Sequence, residues 1–573
     1  MTAPDKSESR TLSDVIVEYL TLLGVEYVFG VPGGHIGGLF EALDRSAQQG
    51  GPRAVLARHE SGGAFMAAGY ARESGKLGVC CGTTNPGTTN LITGVAAADE
   101  DQDRVLVLTG QTVLPSFGRG AFQESSPDVL DTTAMLGCCT SYNSLVTHPG
   151  QLEPKLLSAL LTALRPPFGA AHLSIPADIY RTAWSTPIQY PHLLQLLQAP
   201  HALLDLSAVE RLGQQIIATR QAGKKCVILV GHNCQGATEA IMALAERLDA
   251  TLISTHAGKN WLNACHPRYV GVFGFAGHAS ARAALEDPQT GLIIVAGSRL
   301  GQWGTSTWDA ALCNRKMVHI HPHPYYFQRA LEAQLHVHGE IRAVFEVLLE
   351  KLRDVGLPVP AATASAPVVK GEFPPQISVS TTPDIETRTP MHPQILLQRM
   401  MRDLPDDTRL VVDAGNCMAW SIHYFFNRQA RCCQYSIESA SMAWGVGAAV
   451  GFAFANRAAP VVCLVGDGSW LMSSQEMSVA VAEKLPVVYI VLNDSSYNMI
   501  NQNQLQKSSV RIEFPIPLTD FALIAQGLGG YGHVIRNAAD WDALDIEEIL
   551  HRESPTLLDV RIEQAAIAPL GMC

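Results

Sequence analysis

The sequence predicts an α/β protein made of three doubly wound parallel-sheet domains, and three observations carry that reading. Short apolar runs of strand length alternate with longer helix-periodic stretches along the whole chain, the pattern of strands buried on both faces between layers of helices. The length, 573 residues, corresponds to about three to five domains. One stretch, 356–393, breaks the alternation with eight prolines and many Ser and Thr, which is a linker composition long enough to cross a domain.

Taken in order, MTAPDKSESRTLSD is polar and lacks the basic-then-apolar layout of a signal peptide. From Thr11, LSDVIVEYLTLLG reads as an amphipathic helix, VEYVFGV as a strand, and a Pro-Gly-Gly turn leads into the next helix. GKLGVCCGTT, DRVLVLTGQ and GAAHLSIPA follow as buried strands and complete a first block, 1–185. The second block, 195–355, has a helix over 207–220, the strands KKCVILVG, ATLISTHA, TGLIIVAGS and KMVHIHP, and a last helix ending near Arg353. Beyond the linker, the third block, 394–573, alternates again through RLVVDAG, APVVCLVGDG, LPVVYIVLND and PTLLDVRI. Three α/β blocks of similar size amount to a repeated architecture.

Composition narrows the function classes. Lys and Arg total 41 against 53 Asp and Glu, a net charge of −12 with the signs scattered, so no phosphate-neutralising stripe exists and nucleic acid is not an expected partner. No apolar run approaches the length that crosses a bilayer. The 13 cysteines include three adjacent pairs and no CxxC, which suits buried free thiols in a reducing compartment, and a cytoplasmic protein is expected. A charge fraction of 16% is low for a soluble chain and suggests surface hidden between subunits.

Two motifs carry chemistry. Gly466-Asp467-Gly468 follows the strand APVVCLV, and Asn493-Asp494 ends the strand LPVVYIVL. Glycines there admit a diphosphate close to the backbone, and an Asp with a second oxygen ligand holds Mg²⁺ against it. Glu60, in Arg58-His59-Glu60, opens a helix rich in Gly and Ala, SGGAFMAAGYARESG, whose close packing would bury the carboxyl without a Lys or Arg partner. Such a carboxyl suits proton exchange, whereas an ordinary helix-start acid is the plainer alternative.

VFGVPGG (28–34), RHE (58–60), TTNPGTTN (83–90), GQ...GAFQE (110–124) and GDGSW...LND (466–494) together resemble the thiamine-diphosphate-dependent enzymes of the acetolactate synthase type, in the same order over nearly the whole chain. The resemblance implies a pyrimidine-binding domain, a central domain and a diphosphate-binding domain for the three blocks. It implies that Glu60 hydrogen-bonds the aminopyrimidine, within a cofactor site that also includes Pro32, Gly33 and Asn90. It makes Asp467, Asp494 and the Ser496 carbonyl the Mg²⁺ ligands, with Asp494 standing where the family usually has Asn. Gly415, Asn416 and Cys417 would cradle the diphosphate with Gly466, Gly468 and Ser469; Met442 would hold the cofactor bent, and the Ala440 carbonyl would receive its amino group.

For the substrate side the resemblance implies a pocket of Gly34, His35, Phe122 and Gln123, with Gln123 catalytic and Asn503 replacing a Trp that shapes the acceptor site. Gly34 lies where simple decarboxylases place an acid or hydroxyl, so the expected reaction is carboligation. A 2-oxo acid would be decarboxylated and its acyl carbanion added to a second carbonyl, in a homodimer or homotetramer. FAD is left open, since GSRLGQWGTSTW keeps Arg299 but lacks the acidic pair of flavin-containing relatives. The alternatives are a non-ligating decarboxylase, a regulatory homologue without activity, and a Rossmann-type oxidoreductase, against which the missing GxGxxG counts. His319, His321 and His323 alternate along a strand end without an acidic partner and are not expected to bind metal.

Overall fold

The computed structural model describes residues 10–198, 204–353, 355–356, 368–507 and 512–571. Residues 1–9 and the linker segment 357–367, on which the signal-peptide and linker readings partly fall, lie outside these. The chain forms three six-stranded sheets in which every strand pair is parallel. The first contains β1 (Tyr27–Gly30), β2 (Arg53–Leu56), β3 (Gly78–Gly82), β4 (Val105–Gln111), β5 (Tyr142–Leu145) and β6 (Ala170–Pro176). The second contains β7 (Lys225–Val230), β8 (Thr251–Ser254), β9 (Tyr269–Val272), β10 (Thr290–Ala296), β11 (Met317–His321) and β12 (Leu335–His338). The third contains β13 (Arg409–Val412), β14 (Cys433–Tyr435), β15 (Val461–Gly466), β16 (Val487–Asn493), β17 (Tyr531–Ile535) and β18 (Thr556–Arg561).

The expected strands are therefore present, but the blocks are not three copies of one topology. The first and third sheets share an order, β2-β1-β3-β4-β6-β5 and β14-β13-β15-β16-β18-β17. The second runs β12-β11-β10-β7-β8-β9, the order of dinucleotide-binding folds. The order reverses between β1 and β3, β7 and β10, and β13 and β15, and in open α/β sheets ligands bind at the carboxyl ends of strands at such points.

Two helices weld the first sheet to the third. In α1 (Glu60–Ser74) and α3 (Trp444–Ala455) the small residues meet at the crossing. A Cβ added to Gly69 would lie 2.3 Å from the Ala448 carbonyl oxygen, and one on Gly451 only 2.0 Å from that of Met66. The two backbones are thus in direct contact, which any larger side chain would prevent. Their apolar residues join both sheets in one core, and a second core runs from the central sheet into the third block. The described part of the linker lies between those two blocks: Ser378 N donates to Ser280 Oγ and Ser380 N to His423 Nε2.

Among the described residues every cysteine is a free thiol, most of them buried, and no helix is long and apolar enough to cross a membrane. No group of three or more His, Cys, Asp or Glu is placed to hold a metal ion among these residues, and His319 instead bonds the Ser298 carbonyl through Nε2.

Candidate active site

A cavity of about 290 Å³ opens at the carboxyl ends of β13, β15 and β16. Asp467 directly follows β15 and Asp494 directly follows β16, two strands whose ends the register aligns by pairing Gly466 with Leu492, and both acids line the cavity. Asn493 turns away, donating to the Thr519 carbonyl and to Asp559, which leaves Asp494 as the second acid of the site. Asp467 Oδ1 accepts from Gly468 N at 2.7 Å, and its Oδ2 accepts from Ser495 N at 2.7 Å and Ser496 N at 3.3 Å. Asp494 Oδ2 accepts from Asn498 Nδ2 at 2.8 Å. Burial first, then the neighbouring Asp467 charge, pushes the Asp494 carboxyl up to about 7. A buried carboxylate, Asp467, beside a half-buried one whose ionisation it opposes forms a donor set that a hard divalent cation such as Mg²⁺ fits.

One side of the cavity is glycine-lined. Neither Gly415 nor Gly466 has any atom within 4 Å of the place a Cβ would take, and Gly415 has φ +120° at the start of α2 (Asn416–Tyr424). Asn416 Oδ1 is buried without a partner in the chain and, being an acceptor, suits a water molecule and not an anion's own oxygens, whereas the buried Ser469 hydroxyl, beside the Asp413 carboxylate, can donate to them. Cys417 is buried and its thiol donates to the Asp413 carbonyl at 3.0 Å, which makes it a wall rather than a free donor. Gly468 must be glycine because a Cβ would lie 2.5 Å from the Tyr497 ring.

Ala440 and Met442 line the same cavity. Their loop is held by Asp413, whose carboxylate accepts from Ala443 N at 3.1 Å and Gly445 N at 2.7 Å. Ala440, Ala443 and Ser495 all have positive φ, a costly backbone state that clusters where a ligand is clamped. Burial raises Asp413 to about 6. A second acid, Asp101 of the first block, fixes the loop from its other end. It accepts from Ser436 Oγ, Ile437 N and Glu438 N while pairing with Arg72 at 2.8 Å.

Glu60 stands elsewhere in the chain. It is 8% exposed, begins α1, and accepts from Asn90 Nδ2 at 3.0 Å. Next to it lies Glu476, whose Oε2 accepts from Arg58 N at 3.2 Å while Oε1 has no partner. Burial raises the Glu476 carboxyl to about 7, with the Glu60 charge adding to the effect. Sequence reading found Glu60 and missed Glu476 and Asp413. The available signal for Glu476 was a lone acid inside the otherwise small and apolar run SWLMSSQEMSVAVA.

The remaining positions divide. Pro32, Gly33, Gly34 and His35 form the turn after β1, where a Cβ on Gly33 would collide with Thr83, and Gly34 has nothing within 4 Å. His35 Nδ1 is buried without a partner, and burial lowers its pKa. In the GAFQE loop, Glu124 accepts from Ser126 Oγ and from the Gly118, Gly120 and Ala121 amides, which hold its carboxyl below the usual range. That loop presents Phe122 at 81% exposure and Gln123 with φ 59°. Asn503 lies further along α4 (Asn498–Lys507) and is not among the residues lining the cavity, where Asn498, Met499 and Ile500 stand instead. No residue of the first block lines it either.

Comparison with known proteins agrees with this layout. Family models described as the N-terminal TPP binding domain, central domain and C-terminal TPP binding domain of thiamine pyrophosphate enzymes match residues 10–135, 214–348 and 413–560. The chain is 28% identical over 559 residues to the acetolactate synthase isozyme 1 large subunit of Escherichia coli, covering 96% of this chain and 94% of that one. It is also 28% identical over 562 residues to the isozyme 2 large subunit of the same organism, covering 96% and 95%. A solved structure from Mycobacterium smegmatis, described as a thiamin diphosphate-dependent enzyme, superposes with a TM-score of 0.77 at 22% identity, covering 96% of this chain and 99% of that one. The chain belongs to the thiamine-pyrophosphate-dependent enzymes and is of the acetolactate synthase-like type.

Proposed function

We propose that the enzyme is a carboligase, which decarboxylates a pyruvate-like 2-oxo acid and adds the acyl unit to a second carbonyl. Bound thiamine diphosphate would supply a carbanion-forming ring carbon and an electron sink for decarboxylation. The chain's own groups bind, orient and move protons. Asp467, Asp494 and the Ser496 carbonyl would hold Mg²⁺ against the diphosphate, with Gly415, Asn416, Gly466, Gly468 and Ser469 around its oxygens. Met442 and the Ala440 carbonyl would orient the pyrimidine. Glu60, oriented by Asn90, would hold the proton on the pyrimidine side, with the neighbouring Glu476 poised near neutrality.

The observation that carries ligation over simple decarboxylation is Gly34, which leaves open space in the turn where a proton-donating side chain would otherwise stand. Without that donor, the acyl unit awaits an electrophile. Phe122 and Gln123 would line its pocket. Because the transfer involves no net oxidation, no step calls on FAD, and the loop after β10 offers one Arg299 and no acidic pair.

The active unit in this reading is a homodimer or a homotetramer of the cytoplasm. A cavity without any first-block residue, together with an exposed Phe122, supports completion of each site by a second chain. Product analysis after feeding paired carbonyls is the test. A 2-hydroxy-2-acyl acid or an acyloin is expected, and free aldehyde as the sole product would exclude ligation.

A further inference from the structure

Of the central block, Trp303 alone among the described residues lines the reaction cavity. The same block nevertheless holds the far end of α2, the helix whose first residue, Asn416, lies in that cavity. The hold is made by the turn Gly258–Trp261 after β8. Lys259 is 1% exposed, and its Nζ donates to the carbonyls of Ser421 at 3.0 Å and Ile422 at 2.6 Å. His278 of the same block donates from Nε2 to the next carbonyl, that of His423, at 3.1 Å. All three carbonyls belong to the last turn of α2, where a helix runs out of its own donors. Asn260 fixes the turn to the third block: its Oδ1 accepts from Cys433 N at 3.0 Å and its carbonyl from Arg431 N at 2.6 Å.

A lysine this buried ordinarily pairs with an acid. Among the described residues no carboxylate pairs with Lys259; the charge that acts on it is that of the Cys433 thiol, and the Phe426 ring centre lies 5.2 Å from its nitrogen. Its counter-charge is therefore the negative end of the α2 dipole. The positive end of that dipole, with Gly415 at φ +120° and Asn416, opens on the reaction cavity. Nine residues at about 1.5 Å each set the two ends about 13 Å apart. Across that distance, through protein and not through water, an ammonium and one negative charge attract strongly enough to change affinity about five- to tenfold.

We propose that Lys259 is a positioning residue for the cofactor: without touching it, the ammonium clamps the far end of α2 and so favours an anionic diphosphate at the near end. The proposal rests on the reading that places the diphosphate at Gly415 and Asn416. It carries a pH signature. Burial lowers the Lys259 ammonium to about 8, so its charge is present at pH 7 and lost as pH rises through about 8, and affinity for the cofactor falls with it. The titratable groups that face Lys259 do not follow this change, since burial lowers His278 and His423 and raises the Cys433 thiol.

The test is calorimetric titration of the full-length protein, freed of cofactor, with thiamine diphosphate at saturating Mg²⁺, at about pH 7.5 and about pH 9.5. Asp494 and Glu476, both raised to about 7, ionise mostly below that interval. Wild type should bind about fivefold more weakly at the higher pH. Lys259→Arg, whose guanidinium stays charged throughout, should match wild type at the lower pH and keep that affinity at the higher one. Lys259→Met has nearly the same length and no charge, and should bind about fivefold more weakly at both. A lysine that served the fold alone would alter the melting temperature of this variant without giving affinity a pH dependence. A wild-type affinity equal at the two pH values, or a Lys259→Met protein that binds as tightly as wild type at the lower pH, would overturn the proposal. Should Lys259→Met fail to fold, wild type and Lys259→Arg still decide it. Asp467→Ala separates the proposal from the placement of the cofactor. If that variant binds as tightly as wild type, the placement fails and the proposal with it; if it binds weakly while Lys259→Met binds at full strength, the proposal alone falls.

Discussion

Replacing Glu476 by Gln tests whether the carboxyl beside Glu60 keeps its proton at neutral pH. Burial raises the Glu476 pKa from the ordinary 4.5 to about 7, which at ~1.4 kcal/mol per pH unit amounts to about 3 kcal/mol. The sign follows from proton counting. Below about pH 4.5 the folded and unfolded chains both carry the proton, so the group has no effect on stability. Between about 4.5 and 7 the unfolded chain releases it while the folded chain keeps it, so stability falls as pH rises and then levels off. Glu476→Gln keeps the shape and the acceptor for Arg58 N but has nothing to ionise. Urea titrations followed by tryptophan fluorescence, comparing the same transition in both proteins from about pH 4 to about pH 8, should show the variant gaining about 3 kcal/mol relative to wild type across that range. A difference that stays constant within about 0.5 kcal/mol would refute the placement of a protonated carboxyl there.

Glu60→Gln should retain the fold and cofactor binding yet lose proton exchange at the cofactor's reactive carbon, followed by NMR in deuterated buffer. An equal mixture of Glu60→Gln and Asp467→Ala chains, dissociated and reassembled, should recover about a quarter of wild-type activity, because half the dimers are mixed and each of those has one intact site of two. No recovery would argue that Glu60 and Asp467 serve the cofactor from one chain. Asp494→Asn should keep Mg²⁺ binding, since an amide oxygen still coordinates, whereas Asp494→Ala should weaken it about tenfold or more, read by metal titration. Gly451→Val should lower the melting temperature, the added atoms being forced onto the Met66 carbonyl at a cost of about 1–3 kcal/mol or more.

What was legible in the sequence is what is local. APVVCLVGDG and LPVVYIVLND show strand ends, and Asp467 and Asp494, just past the aligned ends of β15 and β16, do line one cavity. The Gly and Ala pattern of SGGAFMAAGYARESG foretells a close helix contact, and α1 and α3 make it. What was not legible depends on partners distant in the chain. Nothing in SSQEM indicates that Glu476 will lie against Gly62 and near Glu60. The run DEDQD has the look of a solvated turn, yet Asp101 and Asp103 are buried against Arg72. Strand order is equally hidden, because the central block has the same alternation of elements as the other two and a different reversal of direction. The position of Asn503 came from matching the family's acceptor-site Trp by count, and counting does not say which face of α4 meets the cavity.

The Asp101 contact also limits how such a chain can be rebuilt. A carboxylate of the first block holds, through Ser436, Ile437 and Glu438, the loop that ends at Ala440, and Arg72 of the same block closes the pair. A chimera that exchanged the third block for a relative's while keeping the first would retain this buried acid and its arginine but depend on a foreign loop to offer the same three donors. Wherever the loop failed to do so, the uncompensated group would cost about 1–3 kcal/mol or more, at the place where the cofactor must be gripped. Recombination within this architecture should therefore succeed when residues 101 and 436–440 are inherited together, so that the unit of exchange is the seam between two blocks and not either block alone.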